Sequence, residues 1–118
     1  RKGQEMEKVG LTNTELQVSQ LCLGTADFGT KRSREEAFRQ MDVFLDGGGN
    51  FIDTAHVYGD WACEEKGCSE KVIGEWLAGK RDKVILSTKG CHPPINDMNV
   101  PEWMYIVCVR MWRRASAV

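Results

Sequence analysis

Asp53, Tyr58 and Lys89 are the residues of this chain whose types and spacing point most directly to chemistry. Asp53 closes the apolar segment Asn50-Phe51-Ile52-Asp53-Thr54, and Tyr58 follows five positions later. Lys89 ends a second apolar segment, Lys83 to Thr88, 36 positions beyond Asp53. If both segments are parallel strands, that separation is one strand–helix unit, and the three side chains meet at the carboxyl ends of neighbouring strands. Ligands of parallel α/β folds bind at those ends. A free tyrosine hydroxyl has a pKa of about 10, too high for efficient proton donation near neutrality. An ammonium beside it favours the phenolate and lowers that pKa, and a carboxylate beside the ammonium keeps it charged and oriented. Such a trio would protonate an oxygen that gains negative charge, as a carbonyl does when it receives a hydride. Taken singly, a lysine at a strand end is usually solvated and a loop tyrosine usually packs. The convergence of all three is what carries the reading.

The elements that must position the trio follow from the residue pattern. Met6 to Leu11 and Leu16 to Ser19, joined by Thr12-Asn13-Thr14, read as a hairpin. Leu21-Cys22-Leu23, ended by Gly24-Thr25, reads as a buried first strand of a parallel sheet. Ser33 and Glu36 match a capping box, and Ala37, Met41, Phe44 and Leu45 form one apolar stripe of a helix stopped by Gly47-Gly48-Gly49. Asn50 to Thr54 is the second strand, and a polar loop runs from His56 to Cys68. Ser69 is the expected cap of a second helix that buries Val72, Ile73, Trp76 and Leu77. Lys83 to Thr88 is the third strand. Strands alternating with helices predict a parallel sheet. Beyond Gly90 the pattern dissolves, and Pro93-Pro94 and Pro101 exclude helix.

Composition bounds the function classes. The chain has 118 residues, 42% of them hydrophobic and 28% charged, the mixture of a soluble globular protein. Sixteen basic residues against seventeen acidic leave a net charge of −1, without the basic excess of a nucleic-acid binder. The longest apolar run, Trp103 to Val109, falls well short of the roughly 20 residues of a membrane helix. The charged start, Arg1 to Lys8, has no apolar stretch behind it and does not read as an export signal. Five cysteines, an odd number at irregular spacing, argue against a disulfide framework; reduced thiols in a cytoplasmic protein are the expectation. Cys63 and Cys68, with Cys91-His92, lack the second tight cysteine pair of a structural zinc site. Gly47-Gly48-Gly49 precedes a strand, so it reads as a helix stop and not as a phosphate cradle.

The string Gly49-Asn50-Phe51-Ile52-Asp53-Thr54-Ala55, then Tyr58-Gly59, Ser69-Glu70, Ile73-Gly74, Leu77 and Thr88-Lys89, resembles the aldo-keto reductase superfamily. Leu21 to Gly29 is similar to that family's first barrel strand, and the hairpin to the one that plugs the barrel's bottom. The resemblance spans residues 6–101 and implies the N-terminal portion of a (β/α)₈ barrel, too short here to close, since such barrels run to ~250 residues. It implies NADPH as cofactor and a small carbonyl compound as substrate. It also implies Tyr58 as proton donor, Lys89 and Asp53 as its tuning pair, Gly24, Thr25 and Asp53 near the nicotinamide, and Trp61 in the substrate pocket.

The chain departs from the family in its hairpin turn, where Thr12 stands for the usual glycine, and in its histidines. The family's catalytic histidine ends a fourth strand, whereas His56 and His92 lie elsewhere. Residues 1–5 read as a disordered extension and 102–118 as an atypical tail. One choice of codons for residues 110–118, read in a shifted frame, gives the family-like Asp-Val-Glu-Glu-Ser-Leu-Arg-Arg, which suggests a frameshift. The expectation is an NADPH-dependent reductase, truncated and impaired. The alternative is a non-catalytic truncated product that associates with another barrel chain through open sheet edges, or has no function.

Overall fold

The computed structural model describes residues 5–90, 92–93 and 98–99. The proposed tail at 102–118, Cys91 and most of the N-terminal extension lie outside the described residues. The chain opens with an antiparallel hairpin of β1 (Lys8–Gly10) and β2 (Gln17–Ser19), in which Val9 faces Val18. Its turn places Asn13 at φ 62°, a conformation asparagine tolerates better than most residues. β3 (Leu23–Gly24), α1 (Arg34–Asp46), β4 (Phe51–Asp53), α2 (Cys68–Trp76) and β5 (Ile85–Ser87) follow. The last three strands form one parallel sheet in the order β3-β4-β5, with Gly24 opposite Asp53 and Asp53 opposite Ser87. Among the described residues this sheet does not close.

α1 begins where the sequence places it. The Ser33 hydroxyl accepts from the Glu36 amide at 3.2 Å, and the Glu36 carboxylate accepts from the Ser33 amide at 2.8 Å. The helix ends at Gly47, but the left-handed residue is Gly48, at φ 86°. Three other expectations need correction. The first parallel strand is Leu23–Gly24, not Leu21 to Leu23. Leu21 is 64% exposed, because its carbonyl accepts from the Ser19 hydroxyl at 2.7 Å while the chain is still leaving the hairpin. Ser69 is not the cap of α2. That helix starts at Cys68 behind Gly67, which sits at φ 73° and makes no side-chain cap, while Ser69 is fully buried. The third strand is also shorter than expected, since Arg81–Lys83 form a 3₁₀ turn ahead of it.

The core lies between the sheet and the two helices. Ile52 of β4 packs with Ala37 and Met41 of α1, Val72, Ile73 and Trp76 of α2, and Phe28 and Val84 from the connections. Trp76 is the largest fully buried side chain among the described residues, and truncating it to alanine costs about 3–5 kcal/mol. Its indole N–H donates to Asp42 at 2.8 Å, which together with an Arg34–Glu75 ion pair fixes α2 against α1.

The hairpin docks at the amino ends of the strands. Asn50, just ahead of β4, accepts from the Ser19 amide at 2.7 Å and donates to the Gln17 carbonyl at 2.9 Å. The Asn50 carbonyl in turn accepts from Ile85 at 2.7 Å. One asparagine thereby sets the heights of hairpin, β4 and β5. Among the described residues no helix is long and apolar enough to cross a membrane.

Candidate active site

The opposite, carboxyl ends of the strands hold the reactive side chains. Asp53 is the last residue of β4, and Lys89 follows β5 by two positions. Tyr58 comes from the turn after β4, where its amide donates to Ala55 at 3.1 Å and its carbonyl accepts from Ser69 at 3.3 Å. Lys89 Nζ donates to Asp53 Oδ2 at 2.6 Å and to the Thr54 carbonyl at 3.0 Å, and stands 3.4 Å from Tyr58 Oη. The same nitrogen lies 5.1 Å from the centre of the Tyr58 ring. The backbone supports this placement, because the Lys89 carbonyl accepts from the His56 amide at 2.9 Å. The three residues singled out by spacing are therefore brought together around one ammonium.

The electrostatics of that ammonium are a contest. Partial burial pulls the Lys89 pKa down, but the hydrogen bonds and charges of Asp53 and Tyr58 outweigh it and hold the pKa above the usual lysine value. Lys89 is thus a fixed positive charge at neutral pH, held beside a phenol. Cys22, the exposed thiol just ahead of β3, feels the same cluster. Burial of its sulfur pushes its pKa up, the Asp53 carboxylate adds to that, and Lys89 opposes it.

A buried chain of hydroxyls lies directly beneath the trio. Ser69 Oγ donates to the Thr25 carbonyl at 2.8 Å and also lies 3.1 Å from Thr25 Oγ1. Thr25 Oγ1 donates to the Asp53 carbonyl at 2.9 Å. With those protons committed, Thr54 Oγ1, 3.3 Å from Ser69 Oγ, is the donor of the remaining bond. The order runs Thr54 to Ser69 to Thr25 to Asp53. It ties the ends of β3 and β4 to the first turn of α2 with all three hydroxyls buried. Residue spacing did not reveal this knot. The one signal was Ser69 itself, whose hydroxyl could as well face the core as a helix end.

A concavity of about 290 Å³ opens beside the trio, lined by Gly24, Thr25, Ala26, Asp27, Phe28, Arg32, Gln40 and Tyr58. Gly24 is exposed, with nothing within 4 Å of where a Cβ would sit, whereas Thr25 is buried with its hydroxyl already engaged. Trp61 packs edge-on against Tyr58 at 6.3 Å between ring centres and remains 48% exposed. A second hollow, of about 420 Å³, lies at the far end among Glu5, Lys8, Asp46, Gly48, Asn50 and Lys83, away from these groups. Neither imidazole joins the trio's side-chain hydrogen bonds among the described residues. His56 Nδ1 pairs with Glu70 at 3.2 Å, Glu70 also accepts from Thr88 at 2.6 Å, and His92 Nδ1 lies 2.6 Å from the Pro93 carbonyl.

The thiols depart from expectation. Cys63 and Cys68 are joined by a disulfide, with Cα atoms 6.6 Å apart. The odd number of cysteines spoke against a framework of several bridges and could not exclude a single local one. The loop between them folds back because the Asp60 carboxylate accepts from the Gly67 amide at 2.7 Å and Gly67 adopts a left-handed turn.

Residues 20–111 match the family model described as the aldo/keto reductase family. The chain is 46% identical over 97 residues to the uncharacterized oxidoreductase YrpG of Bacillus subtilis, covering 80% of this chain and 29% of that protein. It is 46% identical over 83 residues to a norsolorinic acid reductase of Emericella nidulans, covering 63% of this chain and 20% of that one. Among solved structures, an aldo-keto reductase of Bacillus halodurans in its holo form superposes with a TM-score of 0.60 at 34% identity. That match covers 71% of this chain and 26% of the other. The chain spans less than a third of the length of each of these relatives.

Proposed function

The chain belongs to the aldo-keto reductase family, and from that premise we propose that it carries the proton-donating side of an NADPH-dependent carbonyl reductase. The described sheet, hairpin and helices are the corresponding part of the family's (β/α)₈ barrel. The observation that carries the reading is the single Lys89 ammonium held between Asp53, at 2.6 Å, and the Tyr58 hydroxyl, at 3.4 Å.

Tyr58 Oη is the proton donor to the carbonyl oxygen of the substrate. Lys89 stabilises the phenolate that remains, through its charge, and Asp53 keeps Lys89 protonated and aimed. The hollow beside Tyr58 has room for a nicotinamide ring and not for a whole dinucleotide. Gly24, with open space over its backbone, suits the approach of a flat ring; Thr25 lines the same hollow, and Asp53 sits opposite Gly24 on the neighbouring strand. When bound there, NADPH supplies the hydride. Trp61, beside Tyr58 and half exposed, forms one wall of the substrate pocket. The remaining cofactor contacts fall to residues beyond those described.

The test is oxidation of NADPH by the full chain with a panel of aldehydes and ketones. Tyr58→Phe is expected to lower kcat by about 10²–10⁴-fold. Turnover by Tyr58→Phe equal to the parent's would refute the assignment. A second reading, a non-catalytic chain that associates with another barrel chain, draws on the edges of β3 and β5, which no described strand pairs. Gel filtration separates the two: this reading requires a dimer or larger species, and a monomer would count against it.

A further inference from the structure

The Cys63–Cys68 pair is attached to the turn that carries Tyr58 at several points. The Gly59 carbonyl accepts from the amides of Ala62 and Cys63, both at 3.0 Å. Ser69, next to Cys68, donates its amide to the Tyr58 carbonyl. Gly59 sits at φ 94°, and a Cβ there would lie 2.8 Å from Cys68 Cβ, so the turn and the disulfide are in direct contact. Both cysteines are partly exposed, within reach of a small thiol. With the bond formed, Cys63 Sγ lies 3.3 Å from the Gly29 carbonyl and Cys68 Sγ 3.0 Å from the Glu65 carbonyl, so acceptors stand near both sulfurs for the protons that reduction would add.

We propose that Cys63 and Cys68 form a reversible disulfide–dithiol site, exchanging with small thiols of the glutathione class, that tightens or loosens the turn bearing Tyr58. A thiolate of the small thiol attacks one sulfur and breaks the Cys63–Cys68 bond, leaving a mixed disulfide. The released cysteine thiolate takes up a proton. A second small thiol then cleaves the mixed disulfide, freeing the other cysteine and leaving the small-molecule disulfide. Two thiols are oxidised and one protein disulfide is reduced. Non-bonded sulfurs need more room than bonded ones, so reduction pushes the 59–63 turn away from α2 and loosens the hold on Tyr58. The effect on catalysis rests on the reading of Tyr58 as proton donor; the site itself does not.

The full chain is equilibrated in glutathione buffers of graded potential, alkylated and digested with trypsin. Lys66 lies between the two cysteines, so cleavage gives peptides 40–66 and 67–71, which stay linked only through the disulfide. In parallel, amide exchange is followed across residues 58–63 and carbonyl reduction is assayed. The expected result is a linked pair in oxidising buffers that disappears in reducing ones. Exchange across 58–63 rises with reduction, and kcat/KM falls by about 10–10²-fold, the upper figure being that of a misplacement of about 1 Å. Cys63→Ser and Cys68→Ser each show the reduced values in every buffer. Peptides that are unlinked at all potentials, or exchange across 58–63 indifferent to the linkage, overturn the proposal. Exchange that follows the disulfide in a chain without reductase activity upholds the proposal and refutes the functional reading instead.

Discussion

Ser69→Ala tests whether the buried hydroxyl chain holds the site together. In the parent, Ser69 Oγ donates to the Thr25 carbonyl at 2.8 Å and accepts from Thr54 Oγ1 at 3.3 Å. The Thr25 carbonyl keeps a second donor, the Phe28 amide at 3.1 Å, so it is not orphaned by the substitution. Thr54 Oγ1 has no other hydrogen-bond partner among the described residues and is fully buried. The cost is one net hydrogen bond plus the desolvation of one stranded hydroxyl, about 2–4 kcal/mol together. Thr54→Val removes the donor and keeps the shape, leaving Ser69 bonded to Thr25, and costs about 1 kcal/mol. In Thr54→Val/Ser69→Ala the stranded hydroxyl is gone. The double variant should then fall short of the sum of the singles by about 1–2 kcal/mol. Urea unfolding followed by far-UV circular dichroism reads all four chains, provided the slopes agree. Additive costs, or a Ser69→Ala penalty below about 0.5 kcal/mol, would show that the hydroxyls are not coupled as the distances imply.

Further outcomes follow from the same geometry. Gly59→Ala, at φ 94° and against Cys68, should cost about 1–3 kcal/mol in urea. Gly74→Ala, inside α2 with nothing within 4 Å of the new methyl, should add about 0.5–1 kcal/mol. Asn50→Ala severs the clamp on the hairpin, so amide exchange across residues 8–19 should accelerate while that of α2 stays put. The Cys22 thiol, raised by burial and by Asp53 and lowered by Lys89, should alkylate with iodoacetamide faster in Asp53→Asn and slower in Lys89→Met at pH 8. Peptide mass spectrometry quantifies both, and the opposite order would remove Cys22 from the field of the pair.

Much of this was legible because it depends on local pattern or on the regular spacing of strand–helix units. The Ser33–Glu36 box and the glycine stop define α1 without help from the rest of the chain. The spacing of Asp53, Tyr58 and Lys89 yields a trio as soon as the strands are parallel and adjacent. Readings failed where the residue pattern does not announce a side chain's partner, near or far. Leu21 looks like strand until the Ser19 hydroxyl takes its carbonyl, and Ser69 looks like a cap until Thr25, 44 positions away, is seen to accept its proton. The disulfide failed for a related reason: cysteine parity is a property of the whole chain, whereas the bridge is a property of one turn closed by Asp60 and Gly67.

The peptide Asp53-Thr54 belongs to two constructions at once. Its upper side holds Lys89 through the Asp53 carboxylate and the Thr54 carbonyl, and its lower side is the first and last link of the hydroxyl chain. The position of the ammonium is therefore set from the interior as well as by the His56 amide in the loop beside it. Substitution of exposed side chains that touch neither the disulfide nor the 59–63 turn thus leaves the Asp53–Lys89 pair where the interior holds it.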